Sequence, residues 1–134
     1  MTIQLSEAVR NAKLDAIETA VGTDPVLKIR TGAQPANCAA ADSGTVLATL
    51  ALPTDWLAAA ASGAKAKSGT WSDTSADDTG TAAHFRLYTS GGTCVMQGSI
   101  TATGGGGDMT LDNTSIAAAQ VVTITGFTLT EGNA

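Results

Sequence analysis

The apolar residues of this chain change their period once, at Pro25, and that change orders its elements. Before it, Leu5, Val9, Ala12, Ala16 and Ala20 recur at helical spacing, and Leu14, Ile17 and Val21 widen the arc. Ser6 suits an N-cap, Glu7 favours the first turn, Gly22 supplies a C-cap and Asp24-Pro25 prevents continuation. The spacing predicts one amphipathic helix over residues 6–21. Such a helix can pack on its own domain or dock on a neighbouring subunit, and the many alanines permit close approach in either case.

After Pro25 the period is two. Leu27 and Ile29 alternate with Lys28 and Arg30, and further strands are predicted over 45–52, 66–73, 81–89, 94–103, Met109–Leu111 and 121–130. Residues 32–44, Asp73–Asp78 and Gly104–Gly107 read as loops, and Ser90-Gly91-Gly92-Thr93 as a hairpin. In the 81–89 strand, Ala83, Phe85 and Leu87 share one face and His84, Arg86 and Tyr88 the other, with His84 expected at a solvated or interface position. Val122 and Ile124 have the opposite parity to Phe127 and Leu129, which predicts a bulge at Gly126. The expected fold is mainly β: an antiparallel β-sandwich or jelly-roll-like domain of seven or eight strands with one N-terminal helix. Residues 1–24 form the arm and helix and residues 25–134 the sandwich.

Ala, Thr and Gly supply 61 of the 134 residues and charged residues only 14%, so the average side chain is small and neutral. A net charge of −5 argues against nucleic acid, which usually selects a basic patch. No apolar run reaches the ~18 residues of a membrane span. The start, Met1-Thr2-Ile3-Gln4-Leu5-Ser6-Glu7, has no basic segment leading into an apolar core, so the chain is expected to be made in the cytoplasm without a secretory signal. Cys38 and Cys94 match no metal spacing; they are two independent small residues or a disulfide closing a long loop.

Candidate chemistry is sparse. His84 is the single histidine, and no nucleophile elbow accompanies it. Gly104–Gly107 lacks the following Lys-Ser/Thr of a phosphate loop, and reads as a flexible hairpin. Asp73, Asp77 and Asp78 lack the alternating ligands of a calcium loop. Trp56, Trp71 and Tyr88 are expected to pack in the core or at a strand edge, or to form the stacking platform of a carbohydrate-binding module. No catalytic, cofactor-binding or metal residue is predicted.

Several segments together carry a resemblance. They are Ala8–Glu18, Leu27–Ala33, Ser43–Leu50, Gly80–Arg86, Thr101–Met109 and Phe127–Ala134. Nearly the whole chain resembles small proteins encoded in the structural gene clusters of tailed bacteriophages and prophages. The resemblance implies a noncatalytic protein of the virion. A capsid decoration (cement) protein on the outer shell is the expectation, with a tail, neck or fibre component as the alternative. The expected partners are the major capsid protein or other virion proteins and further copies of the chain, as a trimer. Contact is expected through Ile3, Leu5, Val9 and Ile17.

Overall fold

The computed structural model describes residues 3–132. Helix α1 spans Glu7–Val21. The Ser6 hydroxyl accepts the Val9 N–H at its start (3.3 Å), and at its end Gly22 (φ 88°) donates its N–H to the Glu18 carbonyl (2.9 Å). Both bonds satisfy backbone groups that a helix end leaves unpaired. The helix lies on its own β domain, and it does so with the less expected face. Leu14 and Val21 are buried and Ile17 packs against the core, while Val9, Ala12, Ala16 and Ala20 are exposed.

Polar groups complete the inward face. Glu7 accepts the Ser62 N–H, Asn11 accepts the Gly63 N–H, and Arg10 donates to the Glu131 carbonyl. Lys65, only 2% exposed, pairs with Asp15 and Glu18 at 2.7 Å each. The Trp56 indole N–H donates to the Gly22 carbonyl (3.1 Å), which ties the end of the helix to the core.

Ten strands follow among the described residues: β1 Val26–Arg30, β2 Val46–Ala51, β3 Ala64–Ala66, β4 Ser72–Asp73, β5 Gly80–Thr81, β6 His84–Tyr88, β7 Cys94–Ala102, β8 Met109–Leu111, β9 Ser115–Ile116 and β10 Val122–Thr130. The main sheet runs β2-β1-β6-β7-β8-β10-β3, with β4 also on β10; β5 and β9 form a separate pair. The fold is thus mainly β with one helix, as expected. It is not purely antiparallel, because β8 runs parallel to β7, with Ile100 opposite Met109 and Ala102 opposite Leu111.

The sheet curls into a half-barrel. Its first edge is drawn toward β4: the Thr49 N–H donates to the Asp73 carboxylate (2.9 Å) and the Asp77 N–H to the Leu47 carbonyl (2.8 Å). The core sits inside the curl. Trp56, Trp71, Phe127 and Phe85 meet there in series, with ring centroids 6.1, 5.5 and 5.9 Å apart. The register of β10 slips between Ile124 and Gly126, where the parity of the sequence changes.

The parallel pair has a local cause. Parallel neighbours ordinarily need a crossover of a dozen or more residues, yet only residues 103–108 join β7 to β8. The four glycines make the return possible by folding back onto Thr101. A Cβ on Gly105 would stand 2.7 Å from the Thr101 side chain, and one on Gly107 would stand 2.9 Å from the Thr101 nitrogen. Gly104 and Gly106 hold φ of 85° and 82°. The Gly107 N–H donates to the Thr101 hydroxyl (3.0 Å), and the Asp108 carboxylate accepts both the N–H and the hydroxyl of Ser99 (2.9 Å each). The segment expected to be a flexible hairpin is a close-packed turn-back.

This geometry predicts the outcome of single methyl additions. Gly105→Ala and Gly107→Ala should each lower stability by about 1–3 kcal/mol through overpacking. Gly132→Ala, which meets nothing within 4 Å, should stay within about 0.5 kcal/mol of the parent. Urea unfolding of the three variants checks this.

Candidate functional site

A dense polar cluster lies on the outer face of β1 and β6. All five residues of β6 are buried. Phe85 and Leu87 face into the curl, and alternation sends His84, Arg86 and Tyr88 to the other side. Arg30 of β1 stands opposite His84 in the ladder. These four polar side chains are 1–8% exposed because residues 31–45 fold over them. His84, expected at a solvated or interface position, lies instead in a covered polar layer.

Asp42 holds the cover down. One of its oxygens accepts from Arg86 Nη1 (2.5 Å) and from the Tyr88 hydroxyl (2.6 Å), and the other from Arg30 Nη2 (2.9 Å). Arg86 also donates to the carbonyls of Cys38 (2.8 Å), Ala40 (3.1 Å) and Asn37 (3.3 Å), so the loop is wrapped around its guanidinium. Gln97 Nε2 donates to the Pro35 carbonyl (2.7 Å). His84 Nδ1 lies 2.9 Å from the Gly32 carbonyl, a geometry that places a proton on Nδ1. The Tyr88 hydroxyl, followed by the Arg30 and Arg86 charges, holds the Asp42 carboxyl below the usual carboxylate range. Burial first, then the bond to Asp42, pushes the Tyr88 phenol up. Most of these groups are directed at one another and at loop carbonyls, while Arg30 Nε, His84 Nε2, Arg86 Nε and Gln97 Oε1 are buried without a hydrogen-bond partner. Their chemistry is that of a fastening.

The other singled-out residues are placed as follows. Asp73 accepts from Thr49 and Ser75 N–H groups, Asp77 from the Thr49 hydroxyl and Asp78 from the Thr79 N–H, so the acidic loop ties β2 to its neighbour. Among the described residues no group of three or more His, Cys, Asp or Glu is arranged to hold a metal ion. Trp56 and Trp71 lie in the core, and Tyr88 lies under the cover, so none of the three offers an open ring face to a sugar. Ile3 and Val9 are 60% and 46% exposed, Leu5 is half-buried, and Ile17 is half-buried against the core.

One surface feature had no counterpart in the sequence reading. β8 begins only at Met109, opposite Ile100, so the outer edge of β7 before Ile100 and the edge of β10 after Phe127 have no strand between them. A cleft of about 540 Å³ opens there, flanked by Met96, Gln97, Thr128 and Thr130 and closed beneath by Phe85 and Phe127. The signal that would have found the covered layer was available: Arg30 and Arg86, two of only seven Lys and Arg residues, alternate with large apolar residues in the first strand and the 81–89 strand.

No family model, curated protein or solved structure matches this chain.

The fastening makes a pH prediction. A depressed carboxyl stabilises fully above its unfolded value of about 3.9, and that contribution is lost as pH falls through the folded value. The parent should therefore lose stability on acidification below about pH 4. Asp42→Asn should lose about 2 kcal/mol at pH 7, a figure discounted for the partial exposure of the carboxylate. Its stability should then change less than the parent's over the acid limb, as read by urea titrations from pH 7 to pH 2.

Proposed function

We propose that this protein is a noncatalytic structural component of a bacteriophage particle, a capsid decoration protein that binds the outer shell and stabilises it. The observation that carries the reading is the orientation of α1. Its charged and amide groups are consumed by the protein's own β domain, and its small apolar face, Val9, Ala12, Ala16 and Ala20, is left outward with Ile3 beside it in sequence. A helix usually turns such groups the other way, and an outward face of small residues admits close approach by a partner surface. The resemblance of the chain to phage structural proteins supplies the partner: the major capsid protein or another virion protein.

The mechanism is mass action. A protein that binds assembled shell, and not free subunits, stabilises the shell. Weak contacts repeated over the lattice add by avidity. Self-association as a trimer would use the open strand edges along the cleft, since the β2 edge is tied to the 73–78 loop and β3 lies against α1. The rigid fastening of the interior suits a part whose work is surface fit.

Two measurements test this reading. Quantitative gels of purified particles should show on the order of hundreds of copies per particle; about a dozen or fewer would place the protein in the tail or neck, and none would remove it from the virion. Ile3→Asp and Val9→Asp should leave the melting temperature unchanged, as exposed substitutions do, and weaken particle binding by roughly tenfold or more, equivalent to about 1.4 kcal/mol. Undiminished binding by both variants would remove α1 and its arm from the interface.

A further inference from the structure

The cover over β6 brings together the two cysteines, which are 56 positions apart in the chain. Cys38 sits in the cover, where its carbonyl accepts from Arg86 Nη2 at 2.8 Å. Cys94 begins β7 directly opposite Tyr88 in the ladder, and so shares the covered face with Arg86 and Tyr88. The cover that carries Cys38 and the strand face that carries Cys94 thus meet at Arg86 and Tyr88, the latter also bonded to Asp42 of the cover. Both cysteines are free and half-buried, within reach of a small reagent.

From this juxtaposition we infer that Cys38 and Cys94 form a redox-active pair that closes to a disulfide by exchange with a small-molecule disulfide, stapling the 31–45 cover to β7. One cysteine thiolate attacks a sulfur of the reagent, the reagent's S–S bond breaks, and one small thiol leaves with a proton. The second cysteine thiolate then attacks the protein sulfur of this mixed disulfide. The Cys38–Cys94 bond forms as a second small thiol leaves. The two cysteines are oxidised, the reagent is reduced to two thiols, and no other electron carrier is needed. Burial, then the adjacent Cys94 thiol, pushes the Cys38 thiol up, so the exchange should quicken as pH rises. The inference stands apart from the virion reading, since it uses only the cover and β7.

The staple should matter because it closes a long loop and fixes the segment that buries Arg30, His84, Arg86 and Tyr88. The chain-entropy account of a loop this long gives a rise in melting temperature of roughly 10 °C.

The test uses the full chain, purified reduced and then incubated with oxidised glutathione. Expected are the joint loss of both alkylatable thiols, an intact mass lower by two hydrogen atoms, a linked Cys38–Cys94 peptide in a non-reducing map, and an upward melting shift of roughly 10 °C that a reductant reverses. Cys38→Ser and Cys94→Ser should each end as a glutathione mixed disulfide without the shift. The parent, compared with itself before and after reductant, keeps the result readable even if a variant folds poorly. Thiols that stay alkylatable, mixed or intermolecular disulfides alone, or a linked pair with an unchanged or lower melting temperature would each overturn the inference.

Discussion

One carboxylate fastens the covered face of this fold. Asp42 accepts from two buried guanidinium groups and a buried phenol, and without it β1 and β6 would carry two positive charges on a face shut off from water. An unpaired buried charge is among the costliest defects a small domain can hold. With Asp42 in place, Nη1 and Nη2 of Arg86 also collect three loop carbonyls. A loop without regular structure becomes a second wall of the domain, and the central strand is buried on both faces.

The same logic of polar fastening recurs elsewhere. Lys65 receives two carboxylates from α1, Asp73 and Asp77 receive groups from Thr49, and Asp108 closes the start of β8 on Ser99. A chain in which Ala, Thr and Gly dominate has few large side chains with which to fill a core. It concentrates those it has, Trp56, Trp71, Phe85 and Phe127, in one line. Ionic and hydrogen-bonded contacts then set how helix, loops and sheet edges meet that line. Among the described residues the large apolar side chains left exposed are Ile3, Val9 and Val121, and the proposed docking role uses the first two with the small residues of α1.

Features set by neighbouring residues were legible in the sequence. Ser6 and Gly22 bound the helix, strict alternation marks β1 and β6, Ser90–Thr93 turns the β6–β7 hairpin, and the change of parity at Gly126 marks the bulge. What depended on distant partners was hidden. Apolar periodicity assigns charged residues to solvent, so it could not show that Glu7, Arg10, Asn11 and Glu18 face inward toward groups more than forty positions away. Turn composition identified Gly104–Gly107 as a loop, but the parallel pairing follows from its close packing on Thr101. The curl of the sheet arises from contacts between its two ends, which no local pattern encodes.

Native-state hydrogen exchange tests the central claim most directly, because it separates a loop that opens alone from one that opens only with the fold. The amides of Thr31 and Ala83, which bond across to Thr45 and Arg30 at the two margins of the cover, and that of Ala40 within it, are the reporters. If Asp42 makes the cover part of the cooperative core, these amides exchange with the same opening free energy as the β6 amides, and Asp42→Asn lowers both together. Exchange of the cover by a separate, low-energy opening that leaves β6 protected would contradict the account.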